Sequence, residues 1–253
     1  MKFAFFGYDF AVDTLEVLLS KGHTLTHVFS FTPESPFLIH DRLKKLAVRV
    51  GAEFSDKPID LATLNAAKTA GVDVFLCMGY PYKIPILSDV YMLNVHPTLL
   101  PKGAGMMPLP YVLEQPEIFG ITVHKLTEKF DAGDVVFQRK LTAIGRKKSG
   151  NLADTNRQTS DFVCDVDNVH TLAAKFALAA QDILPEVFMN LPKLWDAATP
   201  QNLDDQQWLP PITVDMNTLD FSQPIAEIDA KLRAFGNYGV QARVGDVNMI
   251  IFE

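Results

Sequence analysis

An amide, an imidazole and a carboxylate set the first question of this 253-residue chain: Asn94, His96 and Asp131. Side chains of these types can together polarise a carbonyl and move a proton. Asn94 and His96 lie two positions apart, so on an extended strand both project to the same side. Pro97 and Pro101 bar a regular helix straight after them and stiffen the loop. Asp131 follows the apolar run Ile121-Thr122-Val123-His124-Lys125-Leu126, and Gly133 permits a tight turn beside it. A strand-edge amide and histidine facing a loop aspartate suits acyl transfer. The plainer alternative is a capped strand end and an ordinary aspartate turn, and residue types alone leave both open. His124, on an alternating strand, reads as a packed structural residue, and Thr98-Leu99-Leu100 as core filling after a proline turn.

The elements that must position these groups follow from the hydropathy pattern. Residues 2–6 read as a strand ending at Gly7, and the next helix places Val12, Leu15, Leu18 and Leu19 on one face, stopping near Gly22. A second strand is expected at 24–30 and a turn-rich loop at 32–36. Asp41 can then cap a helix carrying Leu43, Leu46, Ala47 and Val50. Asp60 can cap another, to Gly71, and 72–77 is apolar enough for a buried strand. Strands alternating with short helices indicate an α/β fold with a Rossmann-like, doubly wound, mostly parallel sheet. Ligands in such sheets bind beyond the carboxyl ends of the strands, which brings the Gly7 turn and the 78–85 loop beside Asn94 and His96. The Gly7 turn lacks the Gly-x-Gly-x-x-Gly spacing, which disfavours dinucleotide binding.

Residues 145–168 are polar and include Arg146-Lys147-Lys148, read as an exposed loop with a solvated charge run rather than a phosphate clamp. A helix over 171–190 can cover the sheet with Leu172, Phe176, Leu178, Ala179 and Ile183, with Pro185 kinking or ending it. A linker rich in Pro, Asp and Gln spans 193–211. Beyond it, a short helix-hairpin appendage is expected, with strands at 240–244 and 248–252 joined at Gly245-Asp246.

A hydrophobic share of 48% is ample for a core, and a charged share of 21% argues against disorder. A net charge of −7 makes broad attraction to nucleic acid unfavourable. No apolar run approaches the roughly 18 residues of a membrane helix, and Asp9 and Asp13 interrupt the start too soon for a signal peptide. Cys77 and Cys164 lack metal-ligand spacing and read as reduced thiols of a cytoplasmic protein.

The stretch Asn94-Val95-His96-Pro97-Thr98-Leu99-Leu100-Pro101, with Asp131-Ala132-Gly133 further on, resembles the N10-formyltetrahydrofolate-dependent formyltransferases. This family includes enzymes that formylate methionyl-tRNA, glycinamide ribonucleotide and sugar nucleotides. The likeness extends to Met78-Gly79-Tyr80-Pro81-Tyr82-Lys83-Ile84-Pro85 and Gly120-Ile121-Thr122-Val123-His124, and covers residues 1–195. Thr98 replaces a usual serine, and Ala104 stands where many relatives carry arginine. The resemblance implies a catalytic domain over 1–195, followed by a linker and truncated C-terminal subdomain over 196–253.

It also implies N10-formyltetrahydrofolate as donor and no metal. His96 would be the acid/base, Asn94 would donate its amide N–H to the developing oxyanion, and Asp131 would orient the imidazole. The pterin would sit between two loops, contacting Tyr82 and Ile84 on one side and Leu126, Thr127, Glu128 and Lys129 on the other, with Met78 lining the slot. Lys102 and Gly105 would flank the acceptor.

From Ala198 onward the chain has three basic residues against eight acidic ones, a poor surface for RNA phosphates. The expected acceptor is therefore a nucleotide-linked amino sugar, with methionyl-tRNA as the alternative. Residues 219–235 resemble the entry to the small C-terminal β-barrel of the tRNA-formylating branch, which this tail is too short to complete. A lone hairpin is marginal, so a possible homodimer through it is expected. Two further alternatives are a formyltetrahydrofolate hydrolase, which would usually carry an N-terminal regulatory domain, and a non-catalytic folate-binding module.

Overall fold

The computed structural model describes residues 1–31, 40–144, 167–236 and 239–252. The expected loop at 32–36, nearly all of the 145–168 stretch and Cys164 lie outside the described residues.

Among the described residues, seven strands form one sheet in the order β3-β2-β1-β4-β5-β6-β7. These are β1 (Lys2–Gly7), β2 (Thr24–Phe29), β3 (Glu53–Ser55), β4 (Val74–Met78), β5 (Tyr91–Thr98), β6 (Phe119–Lys125) and β7 (Val135–Lys140). β3, β2, β1, β4 and β5 run parallel, while β6 and β7 are antiparallel. The fold is the expected α/β class, a doubly wound, mostly parallel sheet.

The period-2 alternation of a strand divides β1 between two cores. Phe3 and Phe5 join the layer beneath α1 (Val12–Ser20) and α5 (Val169–Met189), while Ala4 and Phe6 join the layer of α3 (Leu61–Thr69). Each such Phe or Leu contributes about 1.5–3 kcal/mol by leaving water. Phe3 meets Phe188 of α5 edge-on at 5.6 Å, which docks the helix across the sheet.

Local chemistry sets the helix starts, not always as expected. Asp60 caps α3 by accepting from the Thr63 N–H at 2.8 Å. α2 (Asp41–Val50) is capped instead by Asp9, whose carboxylate accepts from the N–H groups of Arg42 (2.9 Å) and Leu43 (2.8 Å). Asp41 is already inside the first turn. A capping box of Asn168 and Thr171 starts α5, which continues past Pro185 to Met189; the helix does not end at the proline.

The expected linker is structured as well. It begins in α6 (Leu191–Asp196) and then pairs with the main domain, Thr199 opposite Val135 and Trp208 opposite Ala104. The appendage holds α7 (Ile225–Phe235) and a hairpin of β9 (Val240–Val244) and β10 (Val247–Ile251). It is more than a hairpin: β8 (Thr218–Leu219) pairs parallel to β9. Leu219, Phe235, Val240 and Ala242 form its small core.

Candidate active site

β5 carries Asn94 and His96 at the carboxyl rim of the parallel strands: Asn94 pairs with Cys77 in the last β4–β5 pair, and His96 lies two residues beyond it. The antiparallel register then puts His124 of β6 directly opposite Asn94, and Thr122 opposite His96. Side chains on opposed positions share a face. Asp131, on the loop after β6, completes the group. Its carboxylate Oδ1 lies 3.5 Å from His96 Nδ1, 3.6 Å from His124 Nε2 and 3.4 Å from Asn94 Nδ2. The three expected residues are thus brought together, with His124 as an unexpected fourth.

Backbone carbonyls fix both imidazoles, because a carbonyl only accepts. His96 donates Nε2–H to the Gly103 carbonyl at 2.9 Å, leaving Nδ1 towards Asp131. His124 donates Nδ1–H to the Lys125 carbonyl at 2.9 Å, so its Nε2 accepts from Asn94 Nδ2 at 3.1 Å. The Asn94 amide nitrogen, expected to meet an oxyanion, is therefore shared. Its 3.4 Å contact to Asp131 is the weak one, and that proton is the one a carbonyl oxygen could take over.

Asp131 sits at φ +51°, a left-handed conformation that favours glycine. Donors hold it there: the Gly105 N–H gives to Oδ2 at 3.0 Å. Burial works to raise its carboxyl, but His96, His124 and the Gly105 N–H outweigh burial and bring it down to about 2. For His96, burial lowers the imidazole below its ordinary value, only partly opposed by Asp131 and the Gly103 carbonyl. An ionised carboxylate beside a neutral imidazole follows. Cys77, under the same rim, is pushed up to about 12 by burial and is an inert thiol.

The loop after β5 is tied by Thr98, whose hydroxyl donates to the carbonyls of Lys102 (3.0 Å) and Gly103 (2.9 Å). Threonine thus serves as a serine would. Gly105 lies at the site through its N–H, while the Lys102 side chain is exposed. On the other loops, Tyr82, Thr127, Glu128 and Lys129 are exposed, whereas Ile84 is buried with Leu126 packed against the same cluster. The ion pair of Lys83 with Glu128, 2.6 Å, spans these two loops. Met78 is wholly buried in the core, so its side chain lines no slot. A cavity of about 270 Å³ lies elsewhere, beside Tyr111, Leu113 and Met216.

His124 and the segment after α6 are what sequence reasoning missed. Gln201 donates Nε2–H to the carbonyls of Asp131 (3.1 Å) and Gly133 (2.7 Å). For His124 a signal existed: Thr122 and His124 alternate as His96 and Asn94 do, but only the antiparallel register makes them partners.

Residues 49–163 match the formyl transferase family. A methionyl-tRNA formyltransferase of Coprothermobacter proteolyticus is 25% identical over all of this chain and 80% of its own length. In fold, a sugar N-formyltransferase from Shewanella superposes with a TM-score of 0.68 at 13% identity, over all of this chain and 97% of the other. HypX from Aquifex aeolicus in complex with tetrahydrofolic acid gives 0.66 at 16% identity, over all of this chain and 37% of its own. In sequence over residues 49–163, and in fold over its whole length, this chain is therefore similar to the formyltransferases.

Proposed function

We propose that this enzyme transfers a formyl group from N10-formyltetrahydrofolate to a primary amine, and that Asn94, His96 and Asp131 carry the reaction. The observation that supports this most is that Asn94 and His96 both come within 3.5 Å of the Asp131 carboxylate at the sheet's carboxyl rim. His96 Nδ1, neutral and facing an ionised carboxylate, takes the proton that the amine loses on attacking the formyl carbon. The resulting imidazolium is stabilised by Asp131, and its proton passes to N10 as the C–N10 bond breaks. Asn94 Nδ2–H turns to the oxyanion from its weak contact; such a donor is worth about 3–4 kcal/mol. The donor would supply the formyl carbon, and Tyr82, Ile84 and Leu126–Lys129 of the 80–87 and 126–130 loops would hold its pterin.

For the acceptor, we favour a nucleotide-linked amino sugar. The C-terminal part has eight acidic residues against three basic, which weakens any hold on RNA phosphates. Ala104 offers no cation where many relatives would place one, and its backbone is bonded to the 207–209 segment. A methionyl-tRNA acceptor is the second reading, favoured by the relative from Coprothermobacter proteolyticus. Offering a panel of nucleotide-linked amino sugars and charged initiator tRNA with the same donor separates them. Turnover on an amino sugar exceeding that on tRNA is expected; preference for tRNA would reverse the assignment.

A further inference from the structure

We propose that Gln201 is a positioning residue of this active site, holding the Asp131 loop in the one conformation that presents the carboxylate to His96. This rests on the formyl-transfer reading for its kinetic consequence, though not for its geometry. Gln201 follows α6, far from the site in sequence, in the stretch that composition alone marks as a linker.

Three observations carry the assignment. Asp131 occupies a left-handed φ of +51°, which strains a non-glycine residue unless its surroundings enforce it. Gln201 Nε2 donates to the carbonyls on both sides of Ala132, those of Asp131 and Gly133, and so grips that turn from outside. Its own Oε1 is buried without a hydrogen-bond partner among the described residues. An amide flip would set Oε1 against two carbonyl oxygens, so the orientation is dictated by those acceptors. An unpaired buried oxygen disfavours this placement by stability alone, and the grip on the Asp131 turn is what it secures.

The same stretch fastens the opposite loop. Thr199 exchanges hydrogen bonds with Val135 at 2.8 and 2.9 Å, just past the Asp131 turn. Further along, Gln207 N–H donates to the Pro101 carbonyl (3.1 Å), Ala104 N–H to the Gln207 carbonyl (3.0 Å), and Leu209 N–H to the Ala104 carbonyl (2.7 Å). The two loops so joined are the one that bears Asp131 and the one whose Gly105 N–H binds its carboxylate. Residues 199–209 therefore act as a strap setting the distance between them. Gln201 is its main hold on the Asp131 turn, with a longer 3.5 Å contact from Gln206 Nε2 to the Asp131 carbonyl beside it.

The titratable groups facing His96 are Asp131 and His124, with Cys77 of β4 facing Asp131 in turn. Loosening the turn moves the anion away from His96, which lowers its affinity for a proton. The test uses the full chain as wild type, Gln201→Ala, Gln201→Glu and Asn202→Ala, the last exposed and, among the described residues, with its side chain bonded only to Asp204 and Asp205. His96 is titrated by NMR of its labelled imidazole, assigned with His96→Gln, after circular dichroism shows each variant folded.

In Gln201→Ala the His96 midpoint should fall by about half a pH unit or more. Its kcat should drop about 10- to 100-fold, as expected for a displaced catalytic group, with donor KM within about threefold. Gln201→Glu, close in shape but with a carboxylate against two carbonyls, should lose at least as much, and it decides the matter if the alanine variant fails to fold. Asn202→Ala should match wild type. A His96 midpoint unmoved in a folded Gln201 variant overturns the proposal, as does an equal loss in Asn202→Ala. A wild-type protein inactive on every amine would count against the reaction, while the NMR comparison would still decide the role of Gln201.

Discussion

Burial and charge pull His96 in opposite directions, and burial prevails: the imidazole sits below its ordinary 6.5. Asp131, held to about 2, stays ionised throughout the range in which His96 titrates. If His96 is the base, as proposed, protonating it removes that base, so activity should be lost as the pH falls through the His96 midpoint. The expected profile of kcat/KM therefore rises from acid with a midpoint below 6.5, and no second rise from Asp131 appears near neutrality. A single limb centred well above 6.5 would contradict this. Three of the four clustered side chains were legible because Asn-x-His and Asp-x-Gly are dense with polar groups in an apolar stretch. His124 was not, since an isolated histidine on an alternating strand looks the same whether it packs or partners. Met78 misled in the opposite direction, because apolar character does not distinguish a slot wall from a core.

Strand register and loop closure turn those residues into a site. Gly133 illustrates how: a Cβ there would lie 1.9 Å from the Lys125 carbonyl oxygen, so the need is close approach rather than the turn freedom first inferred. Gly133→Ala must push the Asp131 loop away from β6. The expected result is a fall in kcat of about 100-fold in a protein that still melts cooperatively, read by steady-state kinetics beside a thermal melt. Unchanged kcat would show that the loop has slack the packing does not suggest.

β1 and β4 were readable from the sequence because strands buried on both faces are almost continuously apolar. The cap of α2 was not, because Asp9 and Asp41 are equally suited to it in composition and only the tertiary fold brings the distant one to the helix start. The strap was misread for a related reason. Its polar side chains look like a solvated linker, while its contribution comes mostly from backbone pairing, which composition does not encode.

At the scale of the molecule, the large sheet and its two helical layers form a rigid base, and the acidic C-terminal part is joined to it through the strap. The appendage contributes a second, smaller core and leaves Val247, Ile250 and Phe252 exposed on or beside β10. In the proposed reading, the charge of this part is what disfavours an RNA acceptor relative to a small one. No helix among the described residues is long and apolar enough to cross a membrane. The proposed function makes one demand of this architecture: its polar groups at the carboxyl rim must act together on a single carbonyl.

The most direct test is to compare wild type with His96→Ala for formyl transfer to amine, measuring donor binding in parallel by fluorescence quenching. Transfer should fall by at least about 100-fold while the donor dissociation constant changes little. Transfer at the wild-type rate by a folded His96→Ala protein would contradict the account.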